Sequence, residues 1–360
     1  MLDDLGPAEA AGPKAPQPRS RRYTGFVHEH RAATPEQLDP VWAAVDADLR
    51  AGLHAVLLAD YEWGAALHGI AAVAGDAGSG AAGGLRVLMF SGLDRCTPAE
   101  VSEWLSGLDS GATEPTPAGA WGLIESVDDA SFDSAIARIH EAIERGETYQ
   151  VNCTYRLRGQ AFGSPAALYR RLRARQPVGY GALIALPAAH GQPDAARHVL
   201  SLSPELFLRH DGGRLVARPM KGTAPRRADR KEDAAQAAWL GADEKNRAEN
   251  LMIVDLLRND LGRVAEPGSV AVPSLFAVEP YATVWQMTST VQARLRPEIG
   301  MPALLRASFP CGSITGAPKH HTMGLIRRLE STPRGLYCGA IGWVDAPAAG
   351  ALIGDFCLSV

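Results

Sequence analysis

Residues 246–264 read NRAENLMIVDLLRNDLGRV, and the parsing of the chain starts from them. Leu251, Val254, Leu257 and Leu261 recur at helical spacing, which places them on one side of a long helix over Asp243–Leu261. Lys245, Asn246, Arg247, Glu249, Asn250, Asp255, Arg258, Asn259 and Asp260 decorate the same helix with polar groups. Before it, Gly181–Leu186, Val199–Ser203, Leu206–Arg209 and Leu215–Arg218 alternate or run apolar in short bursts, as sheet strands do. After it, the small-residue turn Gly312–Lys319 leads into a helix that includes Met323, Ile326 and Leu329.

Farther upstream the pattern continues. Ser131 is placed to cap a helix whose Phe132, Ile136, Ile139 and Ile143 share a face, with Gly146 as its stop. A strand through Val151–Leu157 and a helix over Ala167–Arg175 follow. His54–Ala59, Trp63–Val73 and Arg86–Ser91 read as strands, and Pro98–Leu105 as a helix with Thr97 as N-cap and Glu100 at the capping-box position. Gly107–Gly119 carries no apolar periodicity and reads as a linker. The expected organisation is a disordered tail over 1–22, an N-terminal subdomain over 23–106, the linker 107–119 and a core over 120–360, in a mixed α/β chain of the α+β type. Trp42, Trp63, Trp104 and Trp121 are expected to pack in the core.

Composition narrows the function. A net charge of -4 argues against non-specific nucleic-acid binding, which needs a basic surface. No apolar run reaches the roughly 18 residues of a transmembrane helix, and the N-terminus lacks the apolar region of a secretory signal, so a cytoplasmic protein is expected. The five cysteines are widely spaced, with no C-x-x-C pair, and read as reduced thiols. Neither G-x-G-x-x-G nor G-x-x-x-x-G-K-[ST] occurs.

Four segments concentrate polar groups that folding alone does not demand. In SPELF, Glu205 stands between apolar neighbours at a strand entry, where burial would favour the protonated form of a general acid; it reads equally as an exposed strand-edge carboxylate. In RPMKGT, Lys221 lies between a proline-stiffened strand end and Gly222. A lysine nucleophile must be neutral, and an unperturbed lysine is neutral roughly one time in a thousand near pH 7.4, so activation needs burial or a nearby cation. A solvated turn lysine is the alternative. Glu249, near the start of the long helix, offers a hard oxygen ligand for Mg²⁺, or is simply part of a wet helix face. Ser313, Thr315 and Gly316 lie in a turn that could cradle an anion at a helix N-terminus, or be a plain Gly-rich turn.

Taken together, SPELF, RPMKGTAPR, NRAENLMIVDLLRNDLGRV, VPSLFAVEPY, FPCGSITGAPK and CGAIGWV occur in an order that resembles the chorismate-utilising enzymes. The resemblance is strong from about Trp121 onward and loose before the linker. It implies an anthranilate synthase component I-like fold, with two large antiparallel sheets packed together and helices outside. Lys221 before Gly222-Thr223 resembles the aminodeoxychorismate synthase component I branch, whereas anthranilate synthases have alanine there; Met220 replaces that branch's isoleucine.

For that branch the resemblance implies Mg²⁺ on the ring carboxylate of chorismate, with Glu249 as a metal ligand. Glu205 would protonate the departing C4 hydroxyl, and Lys221 would add at C2 before ammonia displaces it by attack at C4. Gly222, Thr223, Ser313, Thr315 and Gly316 would line the substrate site. Asn246 stands where the family carries a second acid, and Gln286 where some relatives carry a histidine linked to pyruvate elimination. A separate glutamine amidotransferase subunit is the implied ammonia source. A class IV aminotransferase-like lyase, fused or separate, is a second implied partner. Relatives continue past the GDFCLSV of residues 354–360 through an Ile-Arg-Thr strand, a Gly-rich loop and a helix, so a C-terminally truncated form with absent or very low activity is expected. Other chorismate chemistry of the anthranilate or isochorismate type, or a non-catalytic remnant that only binds the amidotransferase, are the alternative readings.

Overall fold

The computed structural model describes residues 1–6, 19–71, 84–187 and 197–360. The chain divides into two compact units: Met1–Val27, Phe90–Ile124 and Leu157–Glu205 form the first, and His28–Met89, Glu125–Arg156 and Leu206–Val360 the second.

In the first unit, Tyr180–Leu186 and Arg197–Ser203 pair antiparallel without interruption from Tyr180↔Ser203 to Leu186↔Arg197. The expected tail departs from its reading. Leu2–Asp3 is a strand that pairs with Tyr180–Leu186 and with Arg21 of Ser20–Ala32, while residues 7–18 lie outside the described residues. Composition missed this because a single buried carboxylate anchors the strand beside one buried apolar residue, Met1. Asp3 is buried and accepts hydrogen bonds from Arg173 Nε (2.6 Å), Ser20 Oγ (3.1 Å) and Tyr169 Oη (3.2 Å).

Pro98–Leu108 and Pro165–Arg175 pack around Val101, Leu105 and Tyr169, and the first has the expected Thr97–Glu100 capping box. The expected linker is pinned inside this unit, because the buried Asp109 accepts from Arg170 and from both the amide and the hydroxyl of Thr116. Gly119–Glu125 and Leu157–Phe162 make a two-stranded ribbon. Trp121, expected in the core, is 58% exposed on it, with Leu123, Ile124 and Leu157 beside it in solvent.

In the second unit, the hydrogen-bonded order is Met220–Pro225, Val284–Arg294, Arg214–Arg218, Leu206–Asp211, Phe356–Ser359, Ala340–Val344 and His54–Ala59. Each neighbouring pair is antiparallel, which bears out the mixed α/β class with a large antiparallel sheet. Against the sheet lies one continuous apolar core that includes Leu57, Phe207, Leu257, Phe309 and Phe356.

Four local expectations change. Tyr61–Ala66 is a helix where a strand was expected over Trp63–Val73, whose last two residues lie outside the described ones. A short apolar run does not fix its own period. Here Gly64 lies under Phe309, and a Cβ on it would sit 2.3 Å from that ring. Asp128, not Ser131, caps Asp129–Glu144, accepting from the Ser131 amide at 2.7 Å. The strand expected over Val151–Leu157 splits into Gln150–Val151 and Leu157–Phe162. In Glu244–Gly262 the buried stripe is Asn250, Ile253, Val254, Leu257, Asp260 and Leu261, and Leu251 is exposed.

The two polar members of that stripe demand partners. Asp260 takes Lys319 Nζ at 2.5 Å, and the same ammonium donates to the carbonyls of Ser308 and Pro310, each at 3.0 Å. Burial pushes the Asp260 carboxyl up, against the pull of Lys319. No helix among the described residues is long and apolar enough to cross a membrane.

Lys319→Met leaves Asp260 buried without its counter-ion, which should destabilise the chain by about 3–5 kcal/mol, read as a lower midpoint in chemical denaturation. Asp60 gives a pH test. Burial raises its carboxyl to about 6 from an ordinary 3.8, although the Gly84 amide bond pulls the other way. The folded chain therefore holds this proton more tightly than the unfolded one. The contribution is complete below about pH 4 and is lost as pH rises through about 6. Asp60→Asn keeps an acceptor for Gly84 and should flatten this part of the profile in thermal melts between about pH 4 and 7.

Candidate active site

Lys221 and Gly222 form a bulge in the strand Met220–Pro225. Met220 faces Thr288 and Thr223 faces Gln286, so three steps on one strand oppose two on the other. Gly222 makes this possible with φ +97°, and its surface lies against Asn246, where a Cβ would approach that side chain to 3.1 Å. The bulge turns Lys221 off the regular alternation of the strand, with its side chain half-buried. Thr223, next along, is exposed and donates its hydroxyl to Gln286 Oε1 at 3.1 Å.

A fully buried amide underlies the bulge. Asn250 Nδ2 reaches the Lys221 carbonyl at 3.5 Å and that of Met287 at 3.4 Å, while its Oδ1 accepts from Ser289 Oγ at 2.5 Å. Ser289 was missed in the sequence, and Asn250 was read only as one of the polar groups on the helix. Asn250 was legible in principle, because it shares the helical spacing of Val254, Leu257 and Leu261 and a polar group on an apolar face requires partners.

On the same helix, Asn246 is held by Asp243, which accepts both its amide nitrogen (2.9 Å) and its side-chain Nδ2 (2.8 Å). Glu249 is 35% exposed, with Lys245 Nζ 3.9 Å from its carboxylate. A partly exposed carboxylate on a rigid helix suits Mg²⁺, which usually takes one or two carboxylates and keeps several waters. On chemistry and exposure the donor fits that ion.

Farther along the helix, Leu256 packs on Gly312 and Asp260 binds Lys319, so the helix carries both the bulge and the 312–319 segment. Ser313 and Thr315 are buried there. The Thr315 hydroxyl donates to Gly312 O at 3.0 Å, and Ser313 Oγ lies 3.2 Å from Cys311 Sγ. Gly316 has φ +141° and pairs with Val151, and a Cβ on it would fall 2.0 Å from Gln150 O. The helix Lys319–Leu329 thus starts beyond a short strand pairing, not directly from the Gly-Ser turn, as the anion-cradle reading required.

A second buried ion pair fixes this segment. Arg334 binds Glu330 through Nε (2.9 Å) and Nη2 (2.7 Å), and donates to the carbonyls of Ile314 (2.8 Å) and Asn152 (2.5 Å). Its guanidinium also lies 4.3 Å over the Tyr61 ring. Nothing periodic in the sequence after Pro333 announced it.

Glu205 ends the first unit, while the other predicted residues belong to the second. It is half-buried, with its amide donating to Ser203 Oγ at 3.2 Å, and the buried Leu206 and Phe207 follow it. A hollow lined by Tyr61, Met323, Ile326 and Glu330 contains none of the predicted residues.

Comparison with known proteins gives these segments a context. The chain is 47% identical over 232 residues to an aminodeoxychorismate synthase of Streptomyces pristinaespiralis, an alignment covering 62% of this chain and 31% of that one. It is 44% identical over 214 residues to aminodeoxychorismate synthase component 1 of Klebsiella aerogenes, covering 59% and 46%. The chain thus spans less than half the length of these curated relatives. In fold it is similar to anthranilate synthase component I from Streptococcus pneumoniae, with a TM-score of 0.74, 22% identity and coverage of 100% of this chain and 86% of that one. The menaquinone-specific isochorismate synthase from Escherichia coli gives a TM-score of 0.65 at 16% identity, covering 94% and 75%. The model of the chorismate binding enzymes matches residues 17–353, so the bulged lysine, the helix beneath it and the turn beyond are parts of a chain that belongs to that family.

Proposed function

We propose that the chain is the chorismate-binding component of an aminodeoxychorismate synthase, converting chorismate and ammonia to 4-amino-4-deoxychorismate. The carrying observation is Lys221, half-buried in a bulge held open by Gly222 and underpinned by Asn250. A bulge re-aims one side chain while its strand stays paired, which suits a nucleophile that must reach a ring carbon from a rigid element. The names of the relatives at 44–47% identity support the same branch.

In this reading, the Lys221 amine bonds to C2 of the ring as the double bonds shift and the C4–O bond breaks. Ammonia then attacks C4, the double bonds shift back and the lysine leaves, so one difficult substitution becomes two easier ones. Glu205 is proposed, on sequence resemblance, as the acid that protonates the departing hydroxyl. Gly222, Thr223, Ser313, Thr315 and Gly316 are proposed to line the substrate site. Because Ser313 and Thr315 are buried and the Thr315 hydroxyl is engaged by the main chain, these two would line it through the main chain of a turn that their side chains hold in shape. Glu249 would hold Mg²⁺, which when bound supplies positive charge opposite a substrate carboxylate. Relatives named component 1 imply a second component, and a glutamine amidotransferase is the proposed ammonia source. A class IV aminotransferase-like lyase is the proposed consumer of the product.

Incubation with chorismate, ammonium and Mg²⁺ should give aminodeoxychorismate by chromatography. Lys221→Ala should lower its formation by at least about 1000-fold and abolish any adduct on this residue seen by mass spectrometry. Formation of anthranilate or isochorismate by the parent chain, or undiminished aminodeoxychorismate from Lys221→Ala, would refute the assignment. Gly222→Ala, which forces a Cβ into a positive-φ position against Asn246, should cost about 1–3 kcal/mol of stability in denaturant melts and reduce turnover with it.

A further inference from the structure

Away from these segments, the second unit begins at His28, within the strand Ser20–Ala32, with the tripeptide His28-Glu29-His30. Alternation along a strand puts His28 and His30 on one face and Glu29 on the other. Glu29 is accounted for, since Arg86 donates to it through Nε (2.8 Å) and Nη2 (2.7 Å). The two imidazoles instead converge on Asp48, which projects from the helix Leu38–Arg50. Nε2 of His28 and Nε2 of His30 each lie 2.6 Å from the same oxygen, Asp48 Oδ2, and 3.1 Å from each other. The rings stand at 82°, edge to face, so both nitrogens aim at one point.

Hydrogen bonding alone accounts poorly for this arrangement. Two Nε2–H groups directed at one oxygen from such close range set their protons against each other, and if one nitrogen is unprotonated its lone pair faces the carboxylate. A cation at the point of convergence satisfies all three atoms. A tetrahedral ion with bonds of about 2.0–2.1 Å needs donors about 3.3 Å apart. The nitrogens already have nearly that separation, and small side-chain rotations would open the two shorter distances. The side chains are 42%, 21% and 23% exposed for His28, His30 and Asp48, so an ion can enter and water can fill its remaining position. Arg50, on the same helix, is directed at Asp46 and at the Ala351 carbonyl, not at Asp48.

We propose that His28, His30 and Asp48 form a binding site for one divalent transition-metal ion of the zinc class, which ties the strand Ser20–Ala32 to the helix Leu38–Arg50. Two imidazoles and a carboxylate select such an ion over Mg²⁺, which takes oxygen ligands. The site is therefore independent of Glu249 and of the proposed reaction.

The test is titration of the full chain, carrying no affinity tag, with Co²⁺ in millimolar Mg²⁺. One equivalent should bind at micromolar concentrations with a visible d–d band and without the thiolate charge-transfer band that a cysteine ligand would add. Zn²⁺ should displace it and raise the melting temperature. His28→Ala and His30→Ala should each weaken binding by at least about 100-fold, the upper end of what losing a mere supporting hydrogen bond does. Asp48→Asn, which keeps the shape, should weaken it likewise while circular dichroism shows an intact fold. Absence of saturable Co²⁺ and Zn²⁺ binding, or equal binding by the His28→Ala/His30→Ala double variant, would overturn the proposal.

Discussion

Between Lys319 Nζ and the Asp260 carboxylate there is 2.5 Å and almost no solvent. Withdrawing two charges from water carries a large desolvation penalty, recovered only when geometry and further hydrogen bonds are both satisfied. The Ser308 and Pro310 carbonyls complete the ammonium's set of acceptors. Residues 308–319 therefore have one acceptable position against the helix Glu244–Gly262, and a slip in either element strands a charge. Apolar contacts such as that of Leu256 with Gly312 tolerate small displacements, whereas this pair does not. With that segment placed, Gly316 can pair with Val151 and Arg334 can reach the Ile314 and Asn152 carbonyls.

Nearer the start of the same helix, a neutral group performs the corresponding task. Asn250 offers both donor and acceptor, and uses them on the Lys221 and Met287 carbonyls and on Ser289. A bulge leaves main-chain groups off the regular ladder, and buried ones need partners from elsewhere. Because the partner is a helix side chain, the irregular backbone around Lys221 is fixed to a rigid element. The nucleophilic part proposed for Lys221 would gain from that arrangement, since orientation errors of about 1 Å are costly in catalysis.

Much of this was legible in the sequence, for identifiable reasons. Periodicity located Glu244–Gly262 and most strands flanking it, and capping chemistry located Pro98–Leu108. Reading failed where a polar group, not an apolar one, held an element in place. Asp3 makes a strand of Leu2–Asp3, and Asp109 pins what composition suggested was a linker. Asp260, one of the polar groups on the long helix, proves buried, because helical spacing says which residues share a side, not which side is buried. Leu251 erred in the opposite sense for the same reason. Of the site, motif residues were visible; helical spacing marks Asn250 as a polar group on the apolar face but not its partners, and Arg334 acts through contacts that no local pattern encodes.

The additional residue at Lys221-Gly222 also bears on how the gene can change. Loss of a single codon between Met220 and Thr223 would let the strand pair regularly with Val284–Arg294, so the sheet itself would survive the deletion. Met220 and Thr223 would keep their partners Thr288 and Gln286 and hence their faces, and whichever residue remained between them would follow ordinary alternation. A one-codon deletion here would thus separate the fold of the sheet from the placing of Lys221 more cleanly than most substitutions, in one genetic step.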